Sequence, residues 1–233
     1  MRKAEMTRIG GRPRQIETAD IVRAGRELGL VQLSLSGVAA RLGVSSTALY
    51  RHVDGRWGLE SLVGESILSD LVLVDDTTQN TTQHLLSMGL QLRSFILEHP
   101  GLTAYVQTLF PRGESGRRLL ASEVTALGRR GYSADAAIAL VSAVASISIG
   151  YAAAEDTQRQ RAEERAARER DAINAIRTDP RLGEAHHALP DVGADEYVRL
   201  WLGAAVRAFV EMAPPGRSAA QIRAALEAAG KGQ

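Results

Sequence analysis

Several kinds of residue are missing or scarce, and each absence removes a class of function. There is no cysteine, so disulfides, thiolate metal sites and thiol nucleophiles are excluded together. Lysine occurs only at Lys3 and Lys231, and neither stands in a G-x-x-x-x-G-K-[ST] phosphate loop. No G-x-S-x-G elbow, G-x-G-x-x-G turn or H-E-x-x-H pair occurs, so hydrolase, dinucleotide-binding and zinc-protease readings lack their residues, and no enzyme is expected. Aromatics make up only 4% of the chain. The basic, polar beginning has no apolar stretch behind it, and no signal peptide is expected. The longest apolar run, Ala134 to Ala154, is diluted by Asp135 and serines and reads as a buried helix, not a membrane span. A cytoplasmic protein that makes no membrane contact is expected.

What is present favours helix. Ala, Leu, Arg and Glu abound, and apolar residues recur at helical spacing with no alternating strand pattern, so the expected fold is all-α. The formal charge of +1 is uneven. Up to Gly58 there are ten Lys and Arg against five Asp and Glu; beyond it there are eighteen against twenty-two. A basic end on an acidic body suits contact with a polyanion, although an ordinary solvated surface has the same charges.

Residues 1–15 carry Arg2, Lys3, Arg8, Arg12 and Arg14 around glycines and Pro13, and are expected to form a flexible basic arm. Three short helices follow, over Glu17 to Leu28, from Ser34 or Ser36 to Leu42, and from Ser45 or Ser46 to Val53. A long helix is expected from about Trp57 to Leu73, then helices at Gln83–His99, Leu102–Leu109 and Glu114–Arg130. Next come a long helix from Ala134 and another over Glu196–Met212, with a variable loop at 179–195 between them and a weak last helix after Ser218. The division is 1–15 arm, 16–57 helix-turn-helix bundle, and 58–233 helical ligand-binding and dimerisation domain.

The stretch Leu35-Ser-Gly-Val-Ala-Ala-Arg-Leu-Gly-Val-Ser-Ser-Thr-Ala-Leu-Tyr-Arg-His-Val53, followed by Arg56 and Leu59, resembles the DNA-binding signature of the TetR family. Such a helix must offer short polar and planar side chains at its N-terminal end, because those enter the major groove first. Ser45, Ser46, Thr47, Ala48, Arg51 and His52 meet that requirement, while Leu49 and Val53 read as core. For His52, a base or phosphate contact competes with packing. The resemblance implies phosphate contacts for Tyr50 and Arg56, and Ser34 and Ser36 are candidate further donors. Gly11-Arg12-Pro13-Arg14 resembles an arm that places arginines in a narrow minor groove; a solvated tail is the competing reading.

His99–Thr108 and Gly131–Gly150, with Glu155-Asp156, are similar to the regulatory domain of the tetracycline repressors within that family. That similarity implies ligand positions at Ser87, Gln91, Tyr105, Thr108, Ser146 and Glu155, with helix packing the competing reading at each. The similarity departs from the pattern where the repressors hold magnesium-bound drug through a histidine, because Tyr105 stands there and tyrosine is a poor ligand for a hard cation. No metal and no cofactor are therefore expected. The implied partners are operator DNA, a largely apolar small-molecule inducer and a second copy of the chain. Ile149, Ala153, Trp201, Leu202, Ala205 and Phe209 are candidates for the dimer contact on two helices rich in small residues. A regulator that binds DNA without any inducer is the alternative. His186-His187 lies in the variable loop and is expected to face solvent.

Overall fold

The computed structural model describes residues 16–160 and 162–231. They form twelve α-helices and one 3-10 turn, with no strand among the described residues. The candidate minor-groove residues Arg12 and Arg14 lie outside the described residues.

The first three helices make a compact head. Helix α1 (Thr18–Leu28) is capped by Glu17, whose N–H is accepted by Asp20 Oδ2 at 3.3 Å. A 3-10 turn at Leu30–Gln32 leads to α2 (Leu35–Leu42), which Ser34 caps by accepting the Gly37 N–H at 3.1 Å. Gly43 then turns the chain with φ 69°, a backbone region where residues with a Cβ are strained. Helix α3 (Ser46–Leu49) is only four residues long. Irregular helical bonds, such as His52 N–H to Leu49 O at 2.8 Å, carry the chain on to Val53. The expected longer third helix is thus one regular turn and one irregular turn.

Helix α4 (Gly55–Leu68) joins head to body, and the expected boundary after residue 57 falls inside it. Its buried Leu59 and Val63 share one core with Ile21, Val38 and Leu49 of the head and with Leu92, Leu102 and Ala145 of the body. The helix ends five residues before Leu73. Residues 71–74 lie outside any helix or strand, with Leu71 buried and Val72 and Val74 exposed. Side chains from the next helices secure this strip. Gln91 accepts the Val74 N–H at 2.8 Å and donates to its carbonyl at 3.2 Å, while Arg118 donates to the carbonyls of Ser69 and Leu71. The expected helix end at Leu73 is thereby corrected to Leu68.

The body contains α5 (Thr81–Glu98), α6 (Leu102–Leu109), α7 (Glu114–Arg129), α8 (Ala134–Gln160), α9 (Ala162–Thr178), α10 (Gly183–His187), α11 (Ala194–Met212) and α12 (Ala219–Lys231). Asn80 and Gln83 cap α5 reciprocally, each side chain accepting the other's N–H at 3.0 Å. Helix α8 contains a stretch long and apolar enough to cross a membrane, but half of that stretch is buried in the fold, and it behaves as a core helix. Its Ala137, Leu140 and Val144 pack with Leu85 and Met88 of α5, Leu127 of α7 and Val198, Leu202 and Val206 of α11. The short α10 lies within the expected 179–195 loop, where His187 is exposed and His186 half-buried.

Candidate nucleic-acid interface and effector cavity

The head holds its outer surface by burying two anchors. Leu49 is completely buried and Val53 nearly so. Around them Ser45, Thr47, Tyr50, Arg51 and His52 are exposed, while Ser46 and Ala48 are half-buried. Tyr50 is 60% exposed. Ser34 is half-buried and occupied as the cap of α2, whereas Ser36 is exposed with its Oγ 3.5 Å from Ser34 Oγ. Arg56, on the first turn of α4, is exposed and pairs with Glu60 at 2.6 Å, one helical turn on. A pair this exposed contributes well under about 1 kcal/mol and is easily exchanged for another anion.

The six ligand positions implied by resemblance do not converge. Gln91 is occupied with Val74, and it also donates to Ser87 Oγ at 3.1 Å. Thr108 is exposed, and its hydroxyl bonds the Ala104 carbonyl at 3.0 Å. Glu155 accepts two bonds from Arg93, at 2.7 and 2.6 Å, and Arg93 also reaches Asp195 at 2.8 Å. This cluster ties α5, α8 and α11 together. Glu155 foremost, then Asp195, raises the Arg93 pKa against the opposing effect of burial.

Tyr105 is buried, and its hydroxyl donates to Glu65 of α4. Burial first, and then Glu65, pushes the phenol well above its ordinary value, so it stays protonated and is unsuited to binding a cation. Burial alone would raise the Glu65 carboxyl. The hydroxyl of Tyr105, the N–H and hydroxyl of Ser115 and the charge of Arg117 outweigh it and hold the group ionised. One carboxylate therefore connects α4, α6 and the start of α7.

Ser146 alone of the six lines the cavity in this part of the body, about 300 Å3 among α6, α7 and α8. Val106, Phe110, Leu120, Val141 and Ile149 supply apolar walls, with Gln107, Ser142 and Ser146 as polar groups and no charged side chain. The two α5 positions are absent from this lining: Gln91 bonds the backbone of Val74, and Ser87 accepts a bond from Gln91.

Helices α8 and α11 lie side by side within the subunit, and their outer faces are open. Trp201 is 56% exposed and packs against Tyr197 at 6.1 Å between ring centroids. Leu200 is exposed beside them, and Ala153, Ala205 and Phe209 are half-buried. Leu202 is fully buried and Ile149 nearly so, so these two dimer candidates are corrected to core residues of the subunit itself. Tyr197 and Leu200 were overlooked, although they share the helical spacing of Trp201 and Ala204.

A three-helix head with a short exposed third helix is thus joined through α4 to an all-helical body that holds an uncharged cavity. No family model matches the sequence, and no curated protein matches it. Solved structures do. The TetR-family protein ActR of Streptomyces coelicolor, in complex with actinorhodin, is 20% identical with a TM-score of 0.73, covering 88% of this chain and 100% of its own. TetR from Acinetobacter baumannii AYE is 18% identical with a TM-score of 0.61, covering 85% and 98%. A putative transcriptional regulator from Streptomyces coelicolor A3(2) is 25% identical with a TM-score of 0.62, covering 87% and 100%. The chain has the fold of TetR-family transcriptional regulators.

Proposed function

We propose that this chain is a TetR-family transcriptional repressor that binds a palindromic operator as a homodimer and leaves it when a small molecule occupies the body. The observation that carries this reading is the set of polar and planar side chains at 45–52 held in water around the buried Leu49. Two such surfaces related by a two-fold axis match half-sites about one helical turn apart or a multiple of it. Trp201, Tyr197, Leu200, Ala153, Ala205 and Phe209 provide the self-complementary face. Arg51 reads a base edge, Tyr50 and Arg56 hold phosphates, and Ser45, Ser46, Thr47, Ala48 and His52 complete the contact with Ser34 and Ser36 behind them.

The inducer is an uncharged, mainly apolar compound with a few hydrogen-bonding groups, since the cavity offers an amide and two hydroxyls but no charge. The bound protein ActR and a TetR variant solved with minocycline show that small molecules are held by proteins of this fold. Val106 and Gln107 of α6, with Phe110 directly after it, wall the cavity, and Tyr105 on the same helix grips Glu65 of α4. A ligand that shifts α6 thereby acts on the helix that carries the head, provided it binds the shifted conformer better.

The test starts from duplexes selected from a random library. Enrichment of a palindrome is expected, and enrichment of none would end the proposal. On the selected operator, Arg51→Ala relaxes preference at one base pair per half-site by about 1–3 kcal/mol. Tyr50→Phe weakens all sequences alike. A neutral-compound screen that finds tight binding with no change in operator affinity would reject the coupling and leave a DNA-binding regulator without an inducer.

A further inference from the structure

Helix α7 starts without a cap of its own. Gly113 stands at the capping position and has no side chain, so the first N–H groups of the helix need an acceptor from elsewhere. Glu65 of α4 supplies it: its carboxylate accepts the Ser115 N–H in the first turn of α7, and the Tyr105 hydroxyl of α6 as well. The seat is shaped for this contact. A Cβ at Gly113 would fall 2.1 Å from Glu65 Oε2, and one at Gly64 would fall 2.5 Å from Cγ of the Tyr105 ring. The head is locked to α4 just as closely. A Cβ at Gly25 of α1 would fall 2.4 Å from Val63 Cγ2, and Arg26 donates to the Ser66 carbonyl at 2.8 Å and pairs with Asp70. The far end of α4 is held by Arg118, which donates to the carbonyls of Ser69 at 3.1 Å and Leu71 at 3.0 Å.

We propose that Glu65 is a detachable latch that fixes the angle of the head. Seated, it caps α7 and immobilises α4; withdrawn, it lets α4 and the head swing as one piece about the Arg118 contacts. Leu59 and Val63 of α4 otherwise meet Leu92, Leu102 and Ala145 of the body through apolar packing, which is non-directional and permits small sliding. Glu65 is half-buried, so its carboxylate regains water when it leaves the seat. Along the helix Glu65 lies about 6 Å from Ser69 and Gly55 about 21 Å, so a shift of about 1 Å at the latch becomes about 3–4 Å where α4 meets the head. The device belongs to one subunit and depends on neither operator nor inducer.

The chain has no cysteine, so spin labels attach only at introduced ones. Ala40→Cys in the head with Thr125→Cys in α7 reports the head angle, and Ser94→Cys with Thr125→Cys reports the body alone; all three positions are exposed. Labelled full-length chain is refolded with a large excess of unlabelled chain, without DNA, so that double electron–electron resonance reads distances within one subunit. One narrow head–body distance is expected in the otherwise unchanged protein. Glu65→Ala should add a second distance shifted by at least about 3 Å, with the body distance unchanged. Gly113→Ala should do the same, because it fills the seat while leaving Glu65, Tyr105 and Ser115 in place. Adding Gly113→Ala to Glu65→Ala should change nothing further, since the carboxylate that its Cβ displaces is gone. Circular dichroism checks the fold of each variant, and Tyr105→Phe, which removes one of the two bonds, takes the place of a Glu65→Ala that does not fold. A head–body distance that stays single in these variants overturns the proposal. A body distance that changes along with it, or a further change in the double variant, overturns it as well. Because DNA is absent, the result is independent of whether the operator reading stands.

Discussion

Replacing Glu155 by alanine distinguishes a ligand contact from a structural tie. The Arg93 side chain is 7% exposed and Glu155 14%, and two charge-assisted hydrogen bonds of 2.7 and 2.6 Å join them. Removing the carboxylate leaves a buried guanidinium with Asp195, itself 90% exposed, as its remaining ion-pair partner. Breaking a buried pair from one side costs about 3–5 kcal/mol, and the surviving Asp195 contact places this case near about 3 kcal/mol. In a protein of this length each kcal/mol moves the melting temperature by about 2–4 °C, so a fall of about 6–12 °C is expected. The measurement is thermal unfolding followed by circular dichroism at one fixed protomer concentration, because dimerisation would otherwise shift the midpoint. Asp195→Ala should cost under about 1 kcal/mol, since water already screens that contact. The double replacement Arg93→Met with Glu155→Leu should recover most of the loss, because no buried charge is then stranded. A fall below about 2 °C in Glu155→Ala would refute the structural role and return the residue to the ligand.

Three further outcomes follow from particular contacts. The hydrogen bond from Arg130, opposed by burial and aided by Arg129, lowers the Asp75 carboxyl from 3.8 to about 2. The unfolded chain therefore takes up this proton first as pH falls, and the stabilisation, complete above about pH 5, is lost between about pH 4 and 2. Asp75→Asn should flatten the denaturation free energy across that window, and an unchanged slope would contradict the assignment. Leu202→Ala should cost about 2–5 kcal/mol in stability as a core cavity, whereas Trp201→Ala should leave each subunit folded and weaken self-association in sedimentation equilibrium. The opposite pattern would reverse the inward and outward faces of α11. Deleting residues 1–14 should lower operator affinity and flatten its dependence on salt; an equal salt slope would dismiss the arm.

The head could be read from sequence because its determinants are local. Gly43 at a left-handed turn, Ser34 capping α2, and Leu49 and Val53 spaced to point inward each act within a few residues. The exposed set at 45–52 follows from that spacing, since whatever is not needed to anchor a short helix remains outside. The helix order was legible for the same reason, through periodicity, caps and glycine or proline stops.

Other features were decided by packing between distant segments. Whether Leu71–Val74 continued α4 was a matter of tertiary contact: Gln91 and Arg118 reach this segment from other helices and bond its backbone. Trp201 and Leu202 are adjacent and both apolar, and only the placement of α8 beside α11 determined which faces water. The same holds for Gln91, Tyr105 and Glu155: a polar side chain can serve a ligand or a neighbouring helix, and Val74, Glu65 and Arg93 were near enough to claim them. Local spacing determines which side of a helix is apolar, but the partner that satisfies a buried polar atom is chosen by three-dimensional proximity, which no short stretch of chain encodes.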